Sequence, residues 1–196
     1  MNKEDHNKTI ITKKKKNLLI LLFAFSIYQS FAQDNYFTRS GTLSFFSATP
    51  MENIEAKNSQ TSCILNTSTG EIAVSAQMKG FEFEKALMQE HFNENYVESH
   101  KYPKATFKGK IVDFSPESIS ESAKEVKIEG ILNVHGVDKE ISTTATISKK
   151  DDAYDAVSKF KVAASDFDIK IPKAVINNIA KEIEVSINLQ LEPYVQ

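Results

Sequence analysis

Between Lys124 and Lys150 the apolar residues, Ile131 apart, keep to alternate positions and change parity once. Val126, Ile128, Leu132 and Val134 hold even positions, whereas Val137, Ile141, Ala145 and Ile147 hold odd ones. A period of two is that of a strand with one buried face. His135-Gly136 separates the two sets and reads as a two-residue hairpin turn. Such a turn pairs Val134 with Val137, Gly130 with Ile141 and Val126 with Ala145. Directly paired residues share one face of an antiparallel sheet, so both apolar sets land together. A turn one residue longer would send them to opposite faces. The joined face then needs a second apolar surface to cover it.

The pattern continues on both sides. Taken as a four-residue connection, Lys149 to Asp152 pairs Ile147 with Tyr154, Ala145 with Ala156 and Ile141 with Phe160. Ile183, Val185, Ile187, Leu189 and Leu191 alternate with polar residues until Pro193 ends the run. Upstream, Tyr36 to Thr49, Glu52 to Lys57, Thr61 to Leu65, Ile72 to Met78 and Lys104 to Phe114 have strand composition. Phe83 to Phe92 alone spaces its apolar residues as a helix, with Phe83 and Leu87, and Met88 and Phe92, four apart. Asn93 and Asn95 end that helix, and Ala174 to Ile179 suggests one further helical turn. Eight or nine one-sided strands must bury their faces against each other. A two-sheet sandwich and a closed barrel both achieve this, and an eight-stranded barrel has room for side chains or one slender ligand.

The chain opens on a targeting pattern. Lys13 to Lys16 precede the apolar run Leu18 to Tyr28, and Ser30-Phe31-Ala32 supplies small residues at a cleavage site. These features describe a secretory signal over residues 1–32, with one domain over 33–196. The run is shorter than the roughly 20 residues a membrane helix needs. Periplasmic or secreted localisation follows as the expectation, with no membrane span left after cleavage. Taking the signal's six lysines and two acids from the chain's 24 basic and 26 acidic residues leaves a net charge of −6. That balance argues against a nucleic-acid partner and against electrostatic attachment to anionic lipid.

No motif supplies chemistry. The six glycines are too scattered for a phosphate loop, and no nucleophile elbow or paired-carboxylate signature occurs. No cofactor is implied. His91 and His100 have acidic neighbours but match no zinc spacing and read as surface or cap residues. His135 reads as a turn residue. The single cysteine, Cys63, lies in a strand candidate and reads as a buried inert thiol.

Three blocks, in order, resemble the YceI-like lipid/polyisoprenoid-binding family. The first runs from the helix through His91-Phe92-Asn93 to Lys101-Tyr102-Pro103-Lys104-Ala105-Thr106-Phe107. The second is Glu129-Gly130-Ile131-Leu132 with His135-Gly136-Val137, and the third is Ala164-Ser165-Asp166-Phe167-Asp168-Ile169. The opening strand, Ser40 to Phe46, departs from the family pattern. The resemblance implies a mostly β fold: an antiparallel eight-stranded lipocalin-like β-barrel with one short helix. It also implies an exported protein holding a polyisoprenoid or other long-chain apolar lipid, without catalysis.

Inward aromatic and aliphatic residues are then the ligand-binding candidates: Phe45, Phe81, Phe83 and Phe107, with Leu132, Ile141, Phe160 and Ile187. About ten buried methylenes at roughly 0.8 kcal/mol each give about 8 kcal/mol, so binding needs no charged anchor. Alternation alone does not separate a hollow barrel from one filled by its own side chains. The rival reading is a structural or stress-related envelope protein with a filled barrel that acts through protein contacts. A homodimer is compatible with either.

Overall fold

The computed structural model describes residues 35–194, apart from 116 and 118. The segment read as a signal, residues 1–32, lies outside the described residues. The strands are β1 (Asn35–Ala48), β2 (Asn53–Asn66), β3 (Glu71–Gln77), β4 (Glu82–Phe83), β5 (Lys104–Ile111), β6 (Lys124–Val134), β7 (Val137–Lys150), β8 (Ala153–Val162) and β9 (Ile183–Pro193). The α-helix, α1, is Ala86–His91. Neighbours run β1-β9-β8-β7-β6-β5-β3-β2, and β2 pairs back onto β1. Eight antiparallel strands therefore close a barrel, as expected, while the two-residue β4 adds only the pairings of Phe83 with Ala56 and Glu82 with Lys57 on β2.

The β6–β7 hairpin has the expected register. Val134 pairs with Val137, Gly130 with Ile141 and Val126 with Ala145. His135 and Gly136 have φ values of 54° and 77°, the left-handed conformations that a tight turn of this hand requires.

The β7–β8 register differs from expectation by two residues. Ile147 pairs with Ala156 and Ala145 with Ser158. Lys149 and Lys150 belong to the ladder, opposite Tyr154 and Ala153, leaving Asp151-Asp152 as the turn. Lys149 occupies an inward register position but lays its stem across Tyr154, with Nζ 5.6 Å from the ring centroid. A long amphipathic stem can do this at a barrel end. A shift of two preserves the face, so the apolar sets still meet.

The paired segments Glu52 to Lys57 and Thr61 to Leu65 are one strand. Inward positions on β2 run Ile54, Ala56, Asn58, then Thr61, Cys63, Leu65; on β1 they run Tyr36, Thr38, then Gly41, Leu43, Phe45. Both strands change phase at adjoining irregularities, between Thr38 and Gly41 and opposite Thr61 and Asn58. Such bulges bend a strand and re-aim its side chains. Buried Asn58 spends its amide there, donating from Nδ2 to Gln77 O at 2.9 Å and accepting Gln60 N–H at 2.7 Å.

The helix is also shorter and longer than expected. Phe83 lies in β4, not in the helix. At the other end a π-helical turn, Phe92–Tyr96, continues past Asn93 and Asn95. Asn93 does not stop the helix because its Nδ2 donates back to Gln89 O at 2.9 Å. The wider turn brings Phe92, Tyr96 and buried Val97 onto the barrel. The Ala174 to Ile179 turn appears as a 3-10 turn at Lys173–Val175. β5 stops at Ile111, and β9 includes Pro193.

Candidate functional site

Inward side chains divide the barrel into two ends. At one end Tyr36, Leu65, Ile147, Tyr154 and Leu191 pack into a solid core. The Tyr36 and Tyr154 rings meet edge to face at 4.6 Å. Toward the other end the inward residues Leu132, Ile141, Phe160 and Ile187 are only half-buried. Their exposure faces a cavity of about 90 Å³ that is walled by every long strand except β2. The lumen is thus closed at the end holding both termini of the described chain and open toward the His135-Gly136 turn.

The lining is almost wholly apolar. Ser158 donates Oγ to Thr144 O at 2.6 Å, which spends its polarity within the wall. Phe107 stays to one side because Gly109 and Gly130 are directly paired beneath it. A Cβ on Gly109 would stand 2.6 Å from the Phe107 Cζ, and one on Gly130 2.8 Å from it. The ring therefore lies over two residues without side chains and leaves the lumen clear.

Five of the eight sequence candidates, Phe107, Leu132, Ile141, Phe160 and Ile187, line this cavity. The other three, Phe45, Phe81 and Phe83, lie beside it in an aromatic cluster with Phe92. Phe45 touches Phe81, Phe83 and Phe92 at centroid distances of 5.4, 5.7 and 5.4 Å, and Phe83 meets Phe92 at 5.1 Å. This cluster closes the β1–β2 side of the mouth and docks α1 and its π turn.

Polar residues organise the mouth, and the sequence reading missed them. Lys139 lies on the inward register between Val137 and Ile141, opposite Leu132, and forms an ion pair with Asp166. The alternation itself marked that lysine as inward. His135 is more than a turn residue. Its Nδ1 lies 3.0 Å from Phe167 O and its Nε2 2.9 Å from Glu98 Oε2. The Tyr102 ring meets the imidazole edge to face at 4.5 Å. One side chain thus joins the β6–β7 turn, the loop after the π turn and the 3-10 turn Ala164–Phe167.

The hydrogen bond from His135, aided by Lys101 and His100 nearby, holds the Glu98 carboxyl below its ordinary value of 4.5. A depressed acid stabilises the folded state above its unfolded pKa, and that contribution is lost as pH falls through the folded pKa. Acidification through the lowered Glu98 pKa is expected to release this tie. Hydrogen exchange should then quicken at the Ser99, Lys101 and Tyr102 amides before the barrel ladders, and His135→Ala should do the same at neutral pH. Uniform protection across both segments would overturn the assignment.

Other candidates for chemistry lie apart. Cys63 is free and buried, and burial pushes its thiol up to about 12. It should resist a thiol-specific disulfide reagent in the folded protein and react once in denaturant. Rapid native labelling would show that the wall opens there. His91 and His100 are exposed, and among the described residues no group of three or more His, Cys, Asp or Glu is placed to hold a metal. No helix among the described residues is long and apolar enough to cross a membrane.

A closed eight-stranded antiparallel barrel with an apolar lumen open at one end defines a lipocalin-like class of fold. The chain belongs to the YceI-like family: residues 25–191 match the model of the YceI-like domain. Among solved structures it is similar to a polyisoprenoid binding domain from Saccharophagus degradans implicated in plant cell wall breakdown. That match has 15% identity and a TM-score of 0.71, covering 82% of this chain and 99% of the other. It is also similar to BcnA from Burkholderia cenocepacia, at 12% identity and a TM-score of 0.65, covering 77% and 95%. At these identities the likeness is one of fold. A search of curated proteins finds no match.

Proposed function

We propose that this protein is an exported carrier, periplasmic or secreted, that holds a polyisoprenoid or similar long apolar chain in its lumen and performs no chemistry on it. The observation that carries the reading is the apolar cavity open at one end only. The family membership and the polyisoprenoid-binding neighbour support it, and the amino-terminal composition supports export. A cavity of about 90 Å³ takes a short, slender segment. A longer chain is accommodated by parting Phe45, Phe81, Phe83 and Phe92 at the mouth. Such ring contacts contribute about 0.5–1.5 kcal/mol per pair beyond area burial. Burial of a few methylenes, at about 0.8 kcal/mol each, offsets their loss.

Native mass spectrometry of the protein from its producing cells tests this, with and without organic extraction. A mass increment that extraction removes is expected. A protein that carries no lipid, and takes up no added geranylgeraniol, sinks the carrier reading. One observation favours the rival, a barrel acting through protein contacts: Phe37 and Ile64 pair on the outer wall, and Tyr194 packs against Phe37 at 5.2 Å. Ile64 is 53% exposed. The same mass measurement separates the two, because the rival requires no bound lipid.

A further inference from the structure

Among the described residues the three most exposed large apolar side chains are Met51, Leu87 and Ile176, at 72%, 60% and 54%. They come from three separate segments: the β1–β2 turn, the start of α1 and the β8–β9 connection. All three segments leave the open end of the barrel. Glu52 binds them together. Its Oε1 receives Lys85 Nζ at 3.4 Å, and its Oε2 accepts a hydrogen bond from Asn178 Nδ2 at 3.2 Å. Each apolar residue is one or two positions from a member of that trio, so the three segments that carry them meet at one stretch of rim. Two further bonds fix the backbone there: Ala180 N–H donates to Ser47 Oγ at 2.8 Å, and Glu52 N–H to Thr49 Oγ1 at 3.1 Å.

We propose that this rim docks on the surface of a zwitterionic lipid bilayer, with Met51, Leu87 and Ile176 entering the headgroup–acyl boundary and the lumen opening onto it. The proposal rests on the carrier reading and names the partner from which the apolar chain is taken or to which it is given. An apolar ligand moving between membrane and lumen by this route never crosses water. Shallow insertion of apolar side chains is how surface-bound elements hold a membrane. Charge selects the lipid. Lys85 pairs with Glu52, and the three connections at this end carry nine acidic against six basic side chains. A net acidic rim on a chain with net negative charge is repelled by an anionic surface and not by a zwitterionic one. The described chain ends do not cover the rim, since Tyr194 N–H donates to Asn35 O at 2.9 Å at the closed end.

Vesicle flotation tests the proposal. Phosphatidylcholine vesicles are compared with vesicles that also contain phosphatidylglycerol, at low salt and at about 0.5 M salt. The proteins are the wild type, the triple variant Met51→Asp/Leu87→Asp/Ile176→Asp, and Ile131→Asp, which changes an exposed residue on the outer wall. The wild type and Ile131→Asp are expected to float with phosphatidylcholine vesicles at both salts. The triple variant should lose partitioning by about tenfold or more. Docking is overturned if the wild type does not float, if the triple variant floats equally, or if flotation needs phosphatidylglycerol and is lost in salt. It is also overturned if light scattering shows a wild-type dimer that the triple variant dissolves without any flotation, because the rim's occupant is then a second copy. Uptake of geranylgeraniol from detergent micelles, read by native mass spectrometry, is measured in parallel. Uptake by all three proteins upholds the carrier reading whatever the flotation result, and its absence from all three removes that reading while flotation still decides docking.

Discussion

Gly130→Val is expected to cost the barrel about 3 kcal/mol, which for a chain of this size lowers Tm by about 6–12 °C. A Cβ at this position would stand 2.3 Å from Lys108 O and 2.5 Å from the Gly109 Cα. Both contacts are with backbone, so no rotamer change relieves them. β5 must move away from β6, and the six-pair ladder between them, Thr106↔Asn133 to Ile111↔Ile128, must stretch. The Phe107 ring meets the same Cβ at 2.8 Å and is pushed toward the lumen. Differential scanning calorimetry measures the loss. A Tm within about 2 °C of wild type would mean that the two strands do not pack as closely as described.

Thr143→Trp is expected to remove ligand binding while sparing the fold. Thr143 lies on β7 opposite Ile128, lines the cavity and is half-buried. An indole there occupies the space that about five methylenes of a ligand would fill. At about 0.8 kcal/mol for each methylene, binding falls by about 1000-fold. Tm should change by only a few degrees, because the new side chain enters empty volume. Native mass spectrometry and calorimetry together make the check. Unchanged lipid content would place the ligand outside the lumen. A Tm loss as large as that expected for Gly130→Val would mean the space is already filled.

The legibility of this fold followed the regularity of its strands. β9 alternates without interruption, and β6 and β7 depart from alternation chiefly at Ile131 and Lys139, so pairing across His135-Gly136 could be derived residue by residue. The β7–β8 error arose because Lys149, Lys150, Asp151 and Asp152 look equally solvated, whereas the lysine stems lie along the ladder. β1 and β2 were harder for a different reason. Each changes phase at a bulge, and alternation summed across a phase change cancels. Asn58, buried with its amide spent on Gln77 and Gln60, fell between the two segments of strand composition.

The lumen could be read only in part. Phe107, Leu132, Ile141, Phe160 and Ile187 were found because inward parity names them. That the space between them is hollow depends on two glycines meeting across β5 and β6, a pairing 21 positions apart in the chain. The polar mouth was misread because composition assigns charged residues to solvent. Lys139 was on the inward parity all along, and His135 could be given its partners only once Glu98 and Phe167 were placed beside it.

The meeting of Asn35 and Tyr194 at the closed end bears on how the barrel can be rewired. With one N–H to carbonyl bond between them, a short flexible linker could join these positions, and new termini could be cut between the exposed Ser68 and Thr69 at the same end. Neighbouring ends are the condition under which circular permutation is tolerated. The permuted chain would start on β3 and finish on β2, with the open end untouched. The barrel's assembly order and its open end could then be varied separately.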